Sequence, residues 1–445
     1  MPPHGAEDFK NSTDAEGDSF IQEYNTMHKR LLGAVAIAAA MAVSYGCSDS
    51  AASPPTYDSA LDTASRAEQA ATLDTLQALV NIETGPNDAI GMKEMGDYLA
   101  GRLGDLGATV TRHPAAEGGV GENIVGTFQG TGGAKILLMA HMDTVYPRGS
   151  LAKAPFRIDG NRAYGAGIAD DKAGIAVILH ALSMLNARGF RQYGTITVMF
   201  NTDEEIGSFG SRDLIQQLSA SHDYVLSHEP AVDGSESFGM ATSGIAHAEV
   251  TVKGVASHAG VAPELGVNAL TEAADLILRT QDIDDKGREI RFNWTLASAG
   301  SASNAIPDVA KLTADMRYGR NDDYDAIVAM LTERAQRKRL QGSQIDIDMK
   351  RGRPAFNAST EGQALAAKGR AIYEEVGGKI SIASARTGGG SDAAYAALSG
   401  KPVLEGMGLP GFNYHTNADE YVLVDAIPRR LYLETRMIMD LAQGR

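Results

Sequence analysis

The apolar positions of this chain fall into two textures. From about Ala67 they have helical spacing, with Leu73, Leu76, Leu79 and Val80 recurring on one face. A second helix is predicted over residues 93–106. "ATVTRHP" and "ENIVGTFQG" read as strands. "KILLMAHMD" and "GTITVMFNTDEE" are apolar runs of strand length, as strands buried on both faces of a parallel sheet must be. Between them "KAGIAVILHALSMLNARG" reads as a helix with a glycine stop. This alternation predicts an α/β layered sheet.

Around Ser243 the texture changes. "AHAEVTVKG" alternates like a half-exposed strand and "NALTEAADLILRT" is an amphipathic helix. "REIRFNWTLAS" and "VAKLTADMRYG" are strands, "YDAIVAMLTERAQRK" a helix, and "QIDIDMK" alternates strictly. The order β-α-β-β-α-β is that of a ferredoxin-like split unit. From "RGRPAFN" the α/β texture returns. The expected organisation is an α/β domain of residues 66–242 and 355–445, interrupted by an α+β domain of residues 243–354.

Upstream of both lies a different kind of segment. Residues 1–26 are polar and read as an extension ahead of a true start at Met27. Lys29 and Arg30 precede an apolar run from Leu31 to Val43, too short to span a bilayer comfortably. That is the layout of a signal peptide over residues 27–47, with a buried helix as the alternative. Cys47, the only cysteine, ends "SYGC", which is similar to a bacterial lipoprotein cleavage box with Ser44 where a large apolar residue is usual. A lipid on Cys47 and simple cleavage near "SAAS" both remain open, each with export to the periplasm or beyond. The Ser/Ala/Pro/Thr-rich residues 48–65 read as a linker. Beyond Cys47 no disulfide can form and no thiol catalysis is possible.

Charge narrows the function further. The net charge of −16 without a basic stripe argues against a nucleic-acid binder. Carboxylates and histidines gather instead at the ends of apolar runs: His141 and Asp143 in "AHMDTV", Asp170 and Asp171 in "GIADDKAG", Asp203, Glu204 and Glu205 in "NTDEEIGS", Glu229 in "LSHEP", His415 in "GFNYHTNADE". Each alone has a plain reading: a polar pair, a helix cap, a solvated turn. In an open α/β sheet the strand ends face one crevice, and His with carboxylate is a ligand set of zinc.

These motifs, with "LLMAHMDTVYPRGSLAKAPF", "YGAGIADDKAG", "GVASHAGVAPELGVNAL", "RTGGGSDAAYAALSGKPV" and "GLPGFNYHTNADEYV", make the chain resemble the co-catalytic zinc aminoacylases and peptidases, most closely the glutamate carboxypeptidases of carboxypeptidase G type. The resemblance runs from about Leu73 to the end. It implies an α/β/α zinc domain with a ferredoxin-like lid through which subunits pair as a homodimer, and two zinc ions per subunit. By that resemblance Asp170 bridges both metals, His141 and Glu229 complete one site, and Glu205 and His415 complete the other. Glu204 is the general base and Asp143 holds His141; Asp203 keeps the plain reading of a turn residue. His258 is the lid histidine that stabilises an oxyanion. Asn304, Arg317 and Arg353 contact substrate, and Thr387 and Gly390 belong to a loop whose amides line the pocket. Ser237 stands where glutamate-cleaving relatives carry a basic residue, which predicts a weaker preference for glutamate. The implied substrate is a small molecule or short peptide with a C-terminal amino acid, glutamate in folate-like compounds among them. An N-acyl amino acid amidohydrolase preferring apolar or aromatic residues is the alternative, and a non-catalytic ligand-binding scaffold the alternative from another class. A membrane enters only through a lipid on Cys47.

Overall fold

Residues 57–116, 118–231, 236–416 and 419–445 are described by a computed structural model of the chain. The segments 1–26 and 27–47, Cys47 included, lie outside the described residues.

The two apolar runs that read as buried strands are neighbours at the centre of the main sheet. Its strands are β1 (Thr109–Pro114), β2 (Glu122–Gln129), β3 (Lys135–His141), β6 (Thr195–Asn201), β7 (Tyr224–Ser227), β8 (Ser237–Gly239), β17 (Ser381–Ala383) and β18 (Val403–Glu405). They lie in the order β1-β2-β6-β3-β7-β18-β8-β17. β6, β3, β7 and β18 run parallel, while β1 and β2 are antiparallel. Side chains alternate between two cores, as the period of two requires. Ile136, Leu138, Ile196, Val198 and Phe200 face one; Leu137, Met139 and Met199 face the other.

Helices cover both faces. The larger core is shared with α1 (Ser59–Val80), α2 (Ala89–Asp105), α3 (Ala173–Ala187), α7 (Thr360–Glu375) and α9 (Ala426–Ala442). α4 (Arg212–Ala220) and α8 (Ala393–Ala397) pack on the opposite side. α3 is apolar nearly all round because α1 and α9 cover the side turned away from the sheet. Its chain turns out at Gly189, whose φ of 64° suits a residue without Cβ.

One boundary differs from the sequence reading. α1 begins at Ser59, inside the stretch expected as linker. The Asp58 side chain caps it by accepting the Leu61 N–H at 2.8 Å, and Leu61 is fully buried. Alanine and serine marked a linker by composition, but alanine is also the best helix former once a cap and a buried leucine hold the segment.

The second texture forms its own antiparallel sheet of β10 (Gly244–Lys253), β12 (Arg291–Ala299), β14 (Val309–Tyr318) and β15 (Gln344–Arg351), with helices α5 (Ala269–Arg279) and α6 (Asn321–Gln336). The strand order β12-β14-β10-β15 is the ferredoxin-like one. β9 (Ala241–Thr242) and β16 (Phe356–Asn357) pair where the chain leaves and re-enters the main domain. β11 (Ser257–His258) and β13 (Ala305–Ile306) form a two-stranded patch beyond the inserted sheet. Near the main sheet's C-terminal edge, β4 (Arg157–Asp159), β5 (Arg162–Tyr164), β19 (Gly411–Phe412) and β20 (Tyr421–Leu423) make a small sheet.

Candidate metal centre and active site

β6, β3 and β7 are parallel neighbours, so their C-terminal ends open on the same side. His141 is the last residue of β3, Glu204 and Glu205 follow β6, and Glu229 follows β7. Asp170 comes from the turn ahead of α3, and His415 from the loop between β19 and β20. The chain turns sharply ahead of and at that ligand: Asn413 and His415 have φ of 62° and 57°.

Five of these side chains form two groups that share Asp170. His141 Nε2 lies 2.9 Å from Asp170 Oδ1 and 3.7 Å from Glu229 Oε1. His415 Nε2 lies 3.1 Å from Asp170 Oδ2 and 3.0 Å from Glu205 Oε1. Donors bound to one tetrahedral zinc stand ~3.3 Å apart, given metal–ligand bonds of about 2.0–2.2 Å. The donor set and its spacing therefore fit a divalent cation such as zinc at each group, with Asp170 common to both. Without a cation, burial pushes the Glu229 and Glu204 carboxyls well above the usual range, and raises that of Glu205. Burial disfavours a charged His141, but Asp143 and Asp170 outweigh it and drive the ring well above the ordinary histidine range.

Asp143 does more than orient a histidine. Its Oδ1 stands 3.2 Å from His141 Nδ1. The same carboxylate accepts the N–H of Glu204 at 3.0 Å and of Glu205 at 2.8 Å. One buried side chain thus sets the ring of one ligand and the turn that carries another. Asp203 corrects the picture of a solvated turn. It is fully buried and accepts from the Ser211 hydroxyl and the Gly210 N–H, closing the loop that follows. Three adjacent carboxylates are tolerated because each has its own partners.

Glu204 belongs to neither metal group. Its carboxylate lies 2.8 Å from Arg353, whose guanidinium also donates to the carbonyls of Gly390 and Glu204. All of this borders a cavity of about 660 Å³ whose walls include Arg317, Thr387 and Gly390. Arg317 is gripped by Asp315 through two 2.9 Å contacts and donates to the Gly388 carbonyl.

The family model for peptidase family M20/M25/M40 matches residues 137–440, a span that contains both metal groups and the inserted domain. The chain belongs to peptidase family M20/M25/M40. It is 58% identical to carboxypeptidase G2 of Pseudomonas sp. (strain RS-16) over 87% of this chain and 93% of that one. It is 28% identical to a succinyl-diaminopimelate desuccinylase of Alkalilimnicola ehrlichii over 75% of this chain and 90% of the relative. Among solved structures, aminopeptidase PepT of Bacillus cereus superposes with a TM-score of 0.71 at 25% identity, covering 84% of this chain and 99% of that one. This M20 chain is a metallopeptidase, and its α/β sheet with an inserted antiparallel sheet is the family's fold.

Two expected substrate contacts of this M20 peptidase, Ser237 and Asn304, and the expected oxyanion group His258 lie elsewhere than at the cavity wall. Ser237 is buried at the start of β8, beside Ser381 of β17. Gly239, two residues on, is the position of that strand that lines the cavity. The expectation counted sequence positions but not depth along the strand, so Ser237 is not a contact of this cavity. His258 and Asn304 are exposed, with the Ala259 N–H donating to the Asn304 carbonyl. Neither borders the cavity of its own chain.

Two residues escaped the sequence reading. Glu405 ends the apolar strand β18, is 4% exposed and lines the cavity. A carboxylate closing an apolar run was the same signal that found Glu229. Tyr414 also lines the cavity and meets the His415 ring edge-on. Nothing in its spacing marks it.

Proposed function

We propose that this M20 peptidase is a two-zinc carboxypeptidase that removes a C-terminal amino acid, glutamate foremost, from an acyl or peptidyl group. The observation that carries the reading is Glu204: a buried carboxylate outside both metal groups, beside a buried arginine. Two zinc ions held by His141, Asp170, Glu229, Glu205 and His415 would supply Lewis-acid polarisation and an activated water. Glu204 accepts the proton of the attacking water and returns it to the leaving nitrogen. Arg353 receives the α-carboxylate, which its planar guanidinium can bind through two hydrogen bonds. That guanidinium is also paired with Glu204. An entering carboxylate competes for it and leaves Glu204 available as a base. Arg317 is the cationic group placed to meet an acidic side chain. Its pairing with Asp315 offsets part of that charge and leaves room for uncharged residues, the N-acyl amino acid reading included.

Glu204→Gln tests the reading. The ligand sets are untouched, so the variant is expected to hold metal as the wild type does. Its turnover on an N-acyl glutamate should fall by at least ~10² to 10⁴-fold. A folded, metal-loaded variant with near-normal turnover would overturn the role.

A homodimer through the inserted domain is part of the proposal. Of the twelve large hydrophobic side chains exposed among the described residues, seven belong to this smaller domain, including Val255, Val261, Leu265, Leu278 and Leu296. Such a concentration suits a subunit interface. In that dimer His258 and Asn304, exposed and away from their own cavity, serve the neighbouring copy's site. Light scattering should give twice the chain mass; a monomer at micromolar concentration would contradict it.

A further inference from the structure

Glu420 belongs to neither metal group, yet it ties the turn that carries Asp170, one of the second group's three ligands, to the chain that follows His415. It follows His415 by five residues and is 4% exposed. Its Oε2 accepts the Gly167 N–H at 3.0 Å. Its Oε1 accepts the N–H groups of Ala169 at 2.7 Å and Asp170 at 3.1 Å. The Glu420 carbonyl accepts the Gly165 N–H at 3.2 Å. One buried carboxylate thus gathers three backbone donors, the last of them on the shared ligand itself.

The opposite end of the His415 loop is fixed by close contact. A Cβ on Gly411 would stand 2.4 Å from the Cβ of Ala169, so β19 lies directly against the Asp170 turn. The metal ligands divide accordingly. His141 and Glu229 end or follow strands of the main sheet, and Asp143 holds the Glu205 turn. Asp170 and His415 sit on two loops, and the clasp between those loops is Glu420.

We propose that Glu420 is a positioning residue whose carboxylate clasps the 165–170 turn to the start of β20, the strand paired with β19, and so sets the spacing of Asp170 and His415 for a divalent metal. The proposal rests on the two-metal reading above. Loss of the clasp should therefore be felt unequally. The site of His141, Asp170 and Glu229 keeps two ligands fixed by the sheet. The site of Asp170, Glu205 and His415 has two of its three ligands on the clasped loops.

The test is zinc titration of metal-stripped protein against a chromogenic chelator, with cobalt and its visible spectrum as a second readout. Glu420→Gln keeps the shape but turns an NH2 toward a backbone donor. The first equivalent should bind within a few-fold of wild type. The second should weaken ~10 to 100-fold, as loss of a group that orients a metal ligand does, and its cobalt spectrum should change. Glu272→Gln is the control. Glu272 is a fully buried acid in the inserted domain that accepts the N–H groups of Arg339 and Leu340. Its loss should lower thermal stability and leave both zinc affinities alone. Wild-type affinity for the second equivalent in Glu420→Gln, or equal weakening of both, would overturn the proposal. A wild type that takes up no zinc would instead refute the metal reading. Should Glu420→Gln not fold, Glu420→Asp carries the same expectation, because its carboxylate is one methylene short of the turn.

Discussion

Glu204, Glu205 and Asp203 are consecutive carboxylates with three different surroundings: an arginine, a histidine, and the hydroxyl and amide of their own loop. The first two follow from a rule visible in the sequence, since polar groups ending buried parallel strands share one edge of the sheet. Asp203 and Ser237 do not, because burial of a single residue depends on how a loop closes and how deep a strand runs. His415 carries a consequence for pH. Hydrogen bonds to Asp170 and then to Glu205 push its ring up to about 10 in the metal-free chain. At neutral pH that ring is protonated, and a metal must displace the proton. The metal-free state binds protons that the loaded state does not, so apparent zinc affinity should rise with pH up to that range. Titration calorimetry in buffers of different ionisation enthalpy should show proton release on zinc uptake. Heats independent of the buffer would contradict this.

Elements were legible where period and length agreed. β3 and β6 were marked as doubly buried by unbroken apolar runs, and the inserted domain by six elements in ferredoxin-like order. The start of α1 was not, since its signal is one aspartate in a Ser/Ala/Pro/Thr-rich stretch. Asp58 caps the helix and also meets Arg188 at 2.7 Å. Asp58→Ala should cost about 1 kcal/mol, the usual worth of an N-cap, read as a lower denaturant midpoint. An unchanged midpoint would mean that burial of Leu61 alone holds the end.

For the whole molecule, the inserted domain interrupts the chain but splits neither the main sheet nor the site. The 66–242 segment brings His141, Asp170, Glu204, Glu205 and Glu229, and the C-terminal segment returns with Glu405 and His415. That convergence was legible from motif order, whereas the position of His258 was not. A lid residue's place depends on how domains, and copies, pack together. If one crevice holds two metals and hydrolyses a C-terminal amide bond, removing the metals must abolish the reaction. The most direct measurement is amino acid release from N-acyl glutamate and N-acyl phenylalanine by chelator-stripped protein, followed as zinc is returned. The stripped chain should release nothing, and recovery should be complete at two zinc ions per chain, with glutamate favoured. Unchanged hydrolysis by protein verified as metal-free would contradict it.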